Sequence, residues 1–227
     1  MINNISEIAS LIDHTLLRQN TTRKQIRQLC EDAVKYGFAT VCVNPFWVSY
    51  CAENLAESRV KICSVVGFPL GATPSEVKAF EAELCIRNGA HEIDMVMNIG
   101  SAKDSDWKYV ESDISTIAKI ARDNKAILKV IFENCLLEKD EILKACEVAV
   151  SAGAHFVKTS TGFSSGGATL EDVKLMYEAV KGKCLVKAAG GIRNASDAEN
   201  MIKNGASRLG TSSGVAIVNE MKTKETY

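Results

Sequence analysis

Short β-branched apolar runs alternate along the chain with stretches of helical periodicity, and this alternation limits the possible folds more than any other feature. The runs fall at residues 11–16, 39–43, 61–66, 91–97, 127–132, 155–160, 184–188 and 207–211. They are apolar on both faces, as parallel strands must be when helices cover both sides of a sheet. Ile26, Leu29, Cys30, Ala33 and Val34 share one helical face, and Trp107, Val110, Ile114, Ile117 and Ala121 share another. Residues 22–25, 73–76 and 196–199 have capping-box form, with Pro74 at a first helical position. Gly37, Gly89, Gly153, Gly182 and Gly205 stand where helices end in a left-handed residue. Eight strands separated by helices fit an α/β fold, a single (β/α)8 TIM barrel over residues 1–227, with a mobile tail from about residue 221. A doubly wound open sheet is the competing architecture, but no G-x-G-x-x-G follows the first strand and no Walker loop occurs.

The spacing says more than the alternation. Counting five residues on from the helix-ending glycines reaches Cys42, Asp94, Lys158, Lys187 and Gly210. The same count from Asn124, another candidate for that position, reaches Lys129. Connections of equal length put the fifth residue at one place in each strand, and side-chain alternation fixes its side. Barrel stagger makes the heights agree only roughly. The spacing therefore predicts that Asp94, Lys129, Lys158 and Lys187 point into the barrel toward its C-terminal mouth.

A strand lysine ordinarily sits at an edge with its ammonium in water. Here Lys129 lies in Ile-Leu-Lys-Val-Ile-Phe, Lys158 in Phe-Val-Lys-Thr-Ser and Lys187 in Leu-Val-Lys-Ala-Ala. Burying such cations is costly unless they are paired or neutralised. Asp94 and Asp13 are candidate counter-charges, and a purely structural salt-bridge cluster is one reading. The chemical reading is amine attack on a carbonyl carbon. An ordinary lysine, with a pKa of about 10.4, is neutral roughly once in 2,500 molecules at pH 7. Desolvation plus a second ammonium nearby lowers that value enough to leave roughly 30% neutral. One lysine then forms an imine, a second keeps its proton and activates the first, and a carboxylate moves protons.

Three loops after late strands are built from small residues: Ser160-Thr-Gly162, Ala189-Gly190-Gly191 and Gly210-Thr-Ser-Ser213. Glycine lets backbone N–H groups approach an anion, and the loops after strands seven and eight are the usual phosphate site of this barrel. Ser212 and Ser213 are expected to open the last helix, whose N-terminus favours an anion.

Composition removes other classes of function. A net charge of −1 and a pI near 6.3, without basic blocks, argue against nucleic acid or an anionic membrane as partner. No stretch of 18 apolar residues is present to cross a bilayer. The first cation is Arg18, so residues 1–13 do not read as a signal peptide. The eight cysteines form no C-x-x-C, which makes structural zinc improbable. They read as buried reduced thiols, implying a cytoplasmic location.

The same residues carry a resemblance. Ile-Asp-His-Thr-Leu-Leu (12–17), Val-Cys-Val-Asn-Pro (41–45), Val-Val-Gly-Phe-Pro-Leu-Gly (65–71), Glu-Val-Lys-Ala-Phe-Glu (76–81) and Glu-Ile-Asp-Met-Val (92–96) come in order. Leu-Lys-Val-Ile (128–131), Phe-Val-Lys-Thr-Ser-Thr-Gly-Phe (156–163), Lys-Ala-Ala-Gly-Gly-Ile-Arg (187–193) and Gly-Thr-Ser-Ser-Gly (210–214) follow. Together they resemble the deoxyribose-phosphate aldolases of the short bacterial kind. The resemblance implies a class I aldolase without metal or other cofactor, acting on a sugar phosphate and aldehydes, as a homodimer or homotetramer. It implies Lys158 as the imine-forming lysine, Lys187 as the partner that activates it, and Asp94 as the proton-transfer carboxylate. Gly162, Gly190, Gly191, Gly210, Ser212 and Ser213 match its phosphate positions. Asp13, Cys42, Lys129 and Thr159 match pocket or supporting positions, and Tyr227 matches a C-terminal tyrosine able to carry a proton. Phe163 stands where one branch carries a phosphate-binding lysine, so backbone dipoles are expected to carry more of the phosphate charge here. Asn134 replaces a usual threonine, and Ala189 is often serine. Another imine-forming lyase or transaldolase, or a non-catalytic sugar-phosphate-binding barrel, are the other readings.

Overall fold

The computed structural model describes residues 5–225. Eight strands close into a barrel in chain order, each parallel to its neighbours. They are β1 (Ile12–Leu16), β2 (Thr40–Val43), β3 (Lys61–Val66), β4 (Glu92–Val96), β5 (Ile127–Ile131), β6 (Phe156–Lys158), β7 (Leu185–Ala189) and β8 (Arg208–Thr211). Each lies within its expected run, except that β7 extends one residue further, to Ala189. The helices are α1 (Ile5–Ala9), α2 (Arg23–Tyr36), α3 (Val48–Asn54), α4 (Ser75–Arg87), α5 (Ile99–Lys103), α6 (Trp107–Asp123), α7 (Lys139–Ser151), α8 (Leu170–Val180), α9 (Ala195–Lys203) and α10 (Gly214–Glu225). Helix α10 continues through residues 221–225 of the expected tail, and Tyr227 lies outside the described residues.

Local chemistry sets the helix ends. The Thr22 hydroxyl caps α2, and the Gln25 side chain accepts the Thr22 N–H in return. The five helix-ending glycines all have positive φ, from 70° at Gly37 to 110° at Gly89. Four boundaries depart from expectation; one is the end of α8, which already turns left-handed at Lys181, φ 46, one residue before Gly182. Helix α4 starts at Ser75 with Pro74 as its extended cap residue, because Pro74 has ψ 150. Asn194, two residues before the expected Ser196, caps α9 by accepting the Asp197 N–H at 2.8 Å. After α6 the left-handed residue is Lys125, φ 57, rather than Asn124. The connection into β5 is thus one residue shorter than the others, yet Lys129 still pairs in register with Asp94.

Two apolar regions follow from strand alternation. The larger lies between barrel and helices, where Ile93, Leu128, Val130, Val157 and Val186 meet Ile114 and Ile117 of α6 and Val173 and Met176 of α8. Truncating one such residue to alanine costs about 2–5 kcal/mol. Val34 does not join it; at 51% exposure it lies beyond the buried stripe of α2. The smaller region is inside the barrel: Leu17, Cys42, Cys63 and Val65, with Phe68 against them. The remaining interior is charged.

Candidate active site

The inward face of the barrel carries a connected set of ionic groups. Asp94 on β4 is the hub. Its Oδ2 accepts from Lys158 at 2.8 Å and Lys187 at 2.7 Å, and its Oδ1 from Lys129 at 2.8 Å. Cys63 donates its thiol proton to Oδ1 at 3.1 Å. Lys187 also pairs with Asp13 of β1. Below these, Lys129 reaches Glu92 at 2.5 Å, and Arg208 bridges Asp13 at 2.7 Å and Glu92 at 3.0 Å. Register explains the convergence: Asp94 pairs with Lys129, and Lys158 with Lys187, so their side chains share the inner face.

Burial alone would push the Asp94 carboxyl up, but the Lys129, Lys158 and Lys187 ammonium groups hold it well below the ordinary range. Asp13 is likewise held down against burial by Lys187, Lys129 and Arg208. Burial opposes charge on Lys129 and Lys187 too, yet the surrounding carboxylates raise both above the ordinary lysine value. The cluster therefore sets three carboxylates (Asp13, Glu92, Asp94) against four basic groups (Lys129, Lys158, Lys187, Arg208). Arg208 stays charged, and Lys129 and Lys187 are held charged. The expected crowding of two ammonium groups comes with a carboxylate oxygen that Lys158 and Lys187 share.

A cleft of about 490 Å³ opens over this cluster at the C-terminal ends of the strands. Lys158 is the cluster member on its wall, while Lys187, Asp94, Asp13, Lys129 and Cys42 are sealed behind it. Gly162, Gly190, Gly191, Gly210, Ser212 and Ser213 all line the cleft, as expected. The N–H groups of Gly162, Gly190, Gly191 and Ser212 have no protein acceptor among the described residues, a bank of donors open to an anion. The Ser213 N–H is different: it donates to Thr211 Oγ1 at 2.9 Å, leaving the hydroxyl as what Ser213 can offer. Both serines precede α10, whose N-terminus faces the cleft. Gly210 serves packing as well, since a Cβ there would stand 3.0 Å from Ala189 Cβ and 3.1 Å from Lys187 Cε.

The other expected residues have supporting positions. The Thr159 hydroxyl donates to Ala189 O at 3.1 Å and accepts the Ala189 N–H at 3.1 Å, tying β6 to β7 beneath the cleft. Asn134 is buried, its amide nitrogen against Met176 Sδ at 3.3 Å. Phe163 stands on the cleft wall with its ring 5.2 Å from that of Phe68. Several residues were missed. Glu92 and Arg208 each precede an expected inward residue by two, a period-2 signal that would have found them. Arg18 and Arg193 place two guanidinium side chains at the cleft, so charge opposite Phe163 does not rest on backbone dipoles alone. Cys42, Cys63 and Asp94, and Asp13, Cys63 and Glu92, are close enough to suggest cation sites. Lys129 already sits among both sets, on Glu92, Asp94 and Cys63, where a second cation would be repelled.

Fold and site together define a TIM-barrel protein with a lysine of a buried ionic cluster on the wall of its cleft. The sequence of residues 8–220 matches the DeoC/LacD family aldolases, and the chain belongs to that family. It is 55% identical over 216 residues to deoxyribose-phosphate aldolase 1 of Mesoplasma florum, covering 95% of this chain and 97% of that one. It is 52% identical over 221 residues to the deoxyribose-phosphate aldolase of Lactococcus lactis, covering 97% of this chain and 100% of that one. The tetrameric deoxyribose phosphate aldolase of Aeropyrum pernix superposes with a TM-score of 0.92 at 34% identity, over 97% of this chain and 93% of that one.

Proposed function

We propose that this chain is a class I aldolase that reversibly cleaves 2-deoxy-D-ribose 5-phosphate to acetaldehyde and D-glyceraldehyde 3-phosphate through an imine to Lys158. One observation carries the reading beyond family membership: Lys158 alone of the ionic cluster lines a cleft that also holds unpaired backbone donors and two arginines. An amine and an anion site in one cleft fit a substrate with a carbonyl at one end and a phosphate at the other.

Neutral Lys158 adds to C1 of the open-chain sugar, and loss of water leaves a protonated imine. The C2–C3 bond then breaks. Its electron pair moves toward the iminium nitrogen, a solvent water in the cleft takes the C3 hydroxyl proton and later returns it to C2, and C3 departs as the aldehyde of glyceraldehyde 3-phosphate. The remaining enamine is protonated at C2, and water returns at C1 to release acetaldehyde and free Lys158. Lys187 stays cationic throughout and opposes a second charge at Lys158. Asp94, 2.8 Å from Lys158 and 2.7 Å from Lys187, exchanges protons with Lys158 rather than touching the sugar. Gly162, Gly190, Gly191 and Ser212 donate backbone N–H groups to the phosphate, Ser213 its hydroxyl, and Gly210 keeps the space that Lys187 needs. Asp13, Lys129, Cys42 and Thr159 hold the cluster and strands in place.

The chain acts as one catalytic domain and assembles as a homodimer or homotetramer. The tetrameric relative and exposed Phe46, Leu70 and Phe80 support this. We place it in the cytoplasm: all eight cysteines are free, and among the described residues no helix is long and apolar enough to cross a membrane. The test is turnover of 2-deoxy-D-ribose 5-phosphate with EDTA present. Acetaldehyde and glyceraldehyde 3-phosphate in equal amounts are expected; no turnover of this sugar, or turnover of dihydroxyacetone-type donors instead, would overturn the assignment.

A further inference from the structure

Glu133 comes just after β5, is buried, and belongs to neither the lysine cluster nor the cleft wall. Its backbone is left-handed, with φ 60 and ψ 61, a conformation that a glutamate keeps only when its surroundings demand it. The turn delivers its carboxylate to Thr161, three residues beyond Lys158. There it accepts the Thr161 backbone N–H at 3.3 Å and the Thr161 hydroxyl proton. The same hydroxyl oxygen accepts the Phe163 N–H at 3.0 Å. Phe132 N–H donates to Lys158 O and Asn134 N–H to Thr159 O, each at 3.0 Å, so the chain leaving β5 runs bonded beside the chain leaving β6. The turn held in this way encloses Gly162, φ 83, on the cleft wall.

We propose that Glu133 is a positioning residue for the phosphate end of the cleft. It clasps Thr161, and through it sets the direction of the Gly162 N–H before an anion arrives. Lys158 lies on the other side of this turn and is held by Asp94 instead. Loss of the clasp therefore weakens recognition of a phosphate without disturbing chemistry at the amine. The inference rests on the aldolase reading and specifies how that site takes its phosphate.

Two substrates and one ligand test it. In Glu133→Ala, KM for 2-deoxy-D-ribose 5-phosphate should rise about tenfold with kcat within about threefold, while kcat/KM for unphosphorylated 2-deoxy-D-ribose stays within about twofold. Glu133→Gln, whose amide oxygen still accepts from Thr161, should recover most of the KM. Thr161→Val, which removes the hydroxyl from the clasp, should show the same split and carries the test if Glu133→Ala does not fold. Equal losses on both sugars, or a lower kcat at unchanged KM, would overturn the proposal. Titration with inorganic phosphate reads it without turnover: affinity should fall about tenfold in Glu133→Ala. A wild-type protein that binds phosphate but cleaves neither sugar defeats the aldolase reading alone; phosphate affinity unchanged by the substitution defeats this proposal alone.

Discussion

Lys158 and Lys187 donate to one and the same oxygen, Oδ2 of Asp94, at 2.8 and 2.7 Å. Two amines sharing a single acceptor are unequal partners here. Lys187 has a second carboxylate, Asp13, and no exposed atoms, whereas Lys158 has Asp94 alone and reaches the cleft. On the proposed reading this difference divides the labour: Lys187 keeps its charge, and Lys158 is the amine that meets the substrate.

Replacing the shared acceptor tests this arrangement. Asp94→Asn leaves Lys129, Lys158 and Lys187 short of a negative charge in a closed interior. Removing one partner from a buried ion cluster costs about 3–5 kcal/mol, and loss of a proton-transfer group costs about 10²- to 10⁴-fold in rate. Urea midpoints and kcat should both fall accordingly. A stable variant with kcat within tenfold of wild type would contradict the proton-transfer role.

Gly210→Ala tests the packing beside Lys187. The new methyl group would meet Ala189 Cβ at 3.0 Å and Lys187 Cε at 3.1 Å. Overpacking of this kind costs about 1–3 kcal/mol, and here it displaces the amine that must stay beside Lys158. A drop in kcat larger than the rise in KM is expected in steady-state kinetics, together with a lower melting temperature.

Under the proposed function, Arg18 and Arg193 on the cleft wall share the phosphate charge. Losing a charge-assisted contact costs about 1.5–3 kcal/mol, roughly 10- to 150-fold in affinity. Arg18→Ala and Arg193→Ala should each raise KM for the 5-phosphate, and neither should change turnover of unphosphorylated deoxyribose. If neither substitution moves KM, backbone donors carry the phosphate by themselves.

Stability should respond to pH through three groups of residues. Asp13 and Asp94 lie below the ordinary carboxyl value of 3.8, so their contribution is complete above that pH and is lost as pH falls from there through their folded values. Lys129 and Lys187 lie above 10.5, so theirs is complete below that pH and is lost as pH rises through the folded values. Burial against Phe38 lowers His14 from 6.5 to about 4, and the unfolded chain therefore takes up that proton first. Stability is full above pH 6.5 for this group and declines by about 3 kcal/mol as pH falls toward 4. Urea denaturation between pH 4 and 8 should show this limb in wild type and a weaker one in His14→Leu, where His91, also lowered by burial, still contributes.

Much of the architecture is legible in the sequence because strand runs, helix stripes and left-handed glycines are local signals. The five-residue count placed Asp94, Lys158 and Lys187 on one inner face without any knowledge of tertiary contacts. It reached Lys129 through the wrong residue, since Lys125 rather than Asn124 turns left-handed and the shorter loop compensates. Glu92 and Arg208 escaped because a lone charge near a strand's start looks like a solvated end; their enclosure depends on barrel closure across β4 and β8. Glu133 escaped for a similar reason: its partner Thr161 is 28 residues away, and the backbone turn that joins them has no sequence signature.

Chemical trapping at the amine is the most direct test. The protein is incubated with acetaldehyde and borohydride, digested, and mapped by peptide mass spectrometry. An ethyl group on Lys158, absent from Lys129 and Lys187, is the expected result. A protein that turns over the sugar phosphate yet carries no adduct on Lys158, or carries it on a different lysine, would contradict the assignment of the reactive amine.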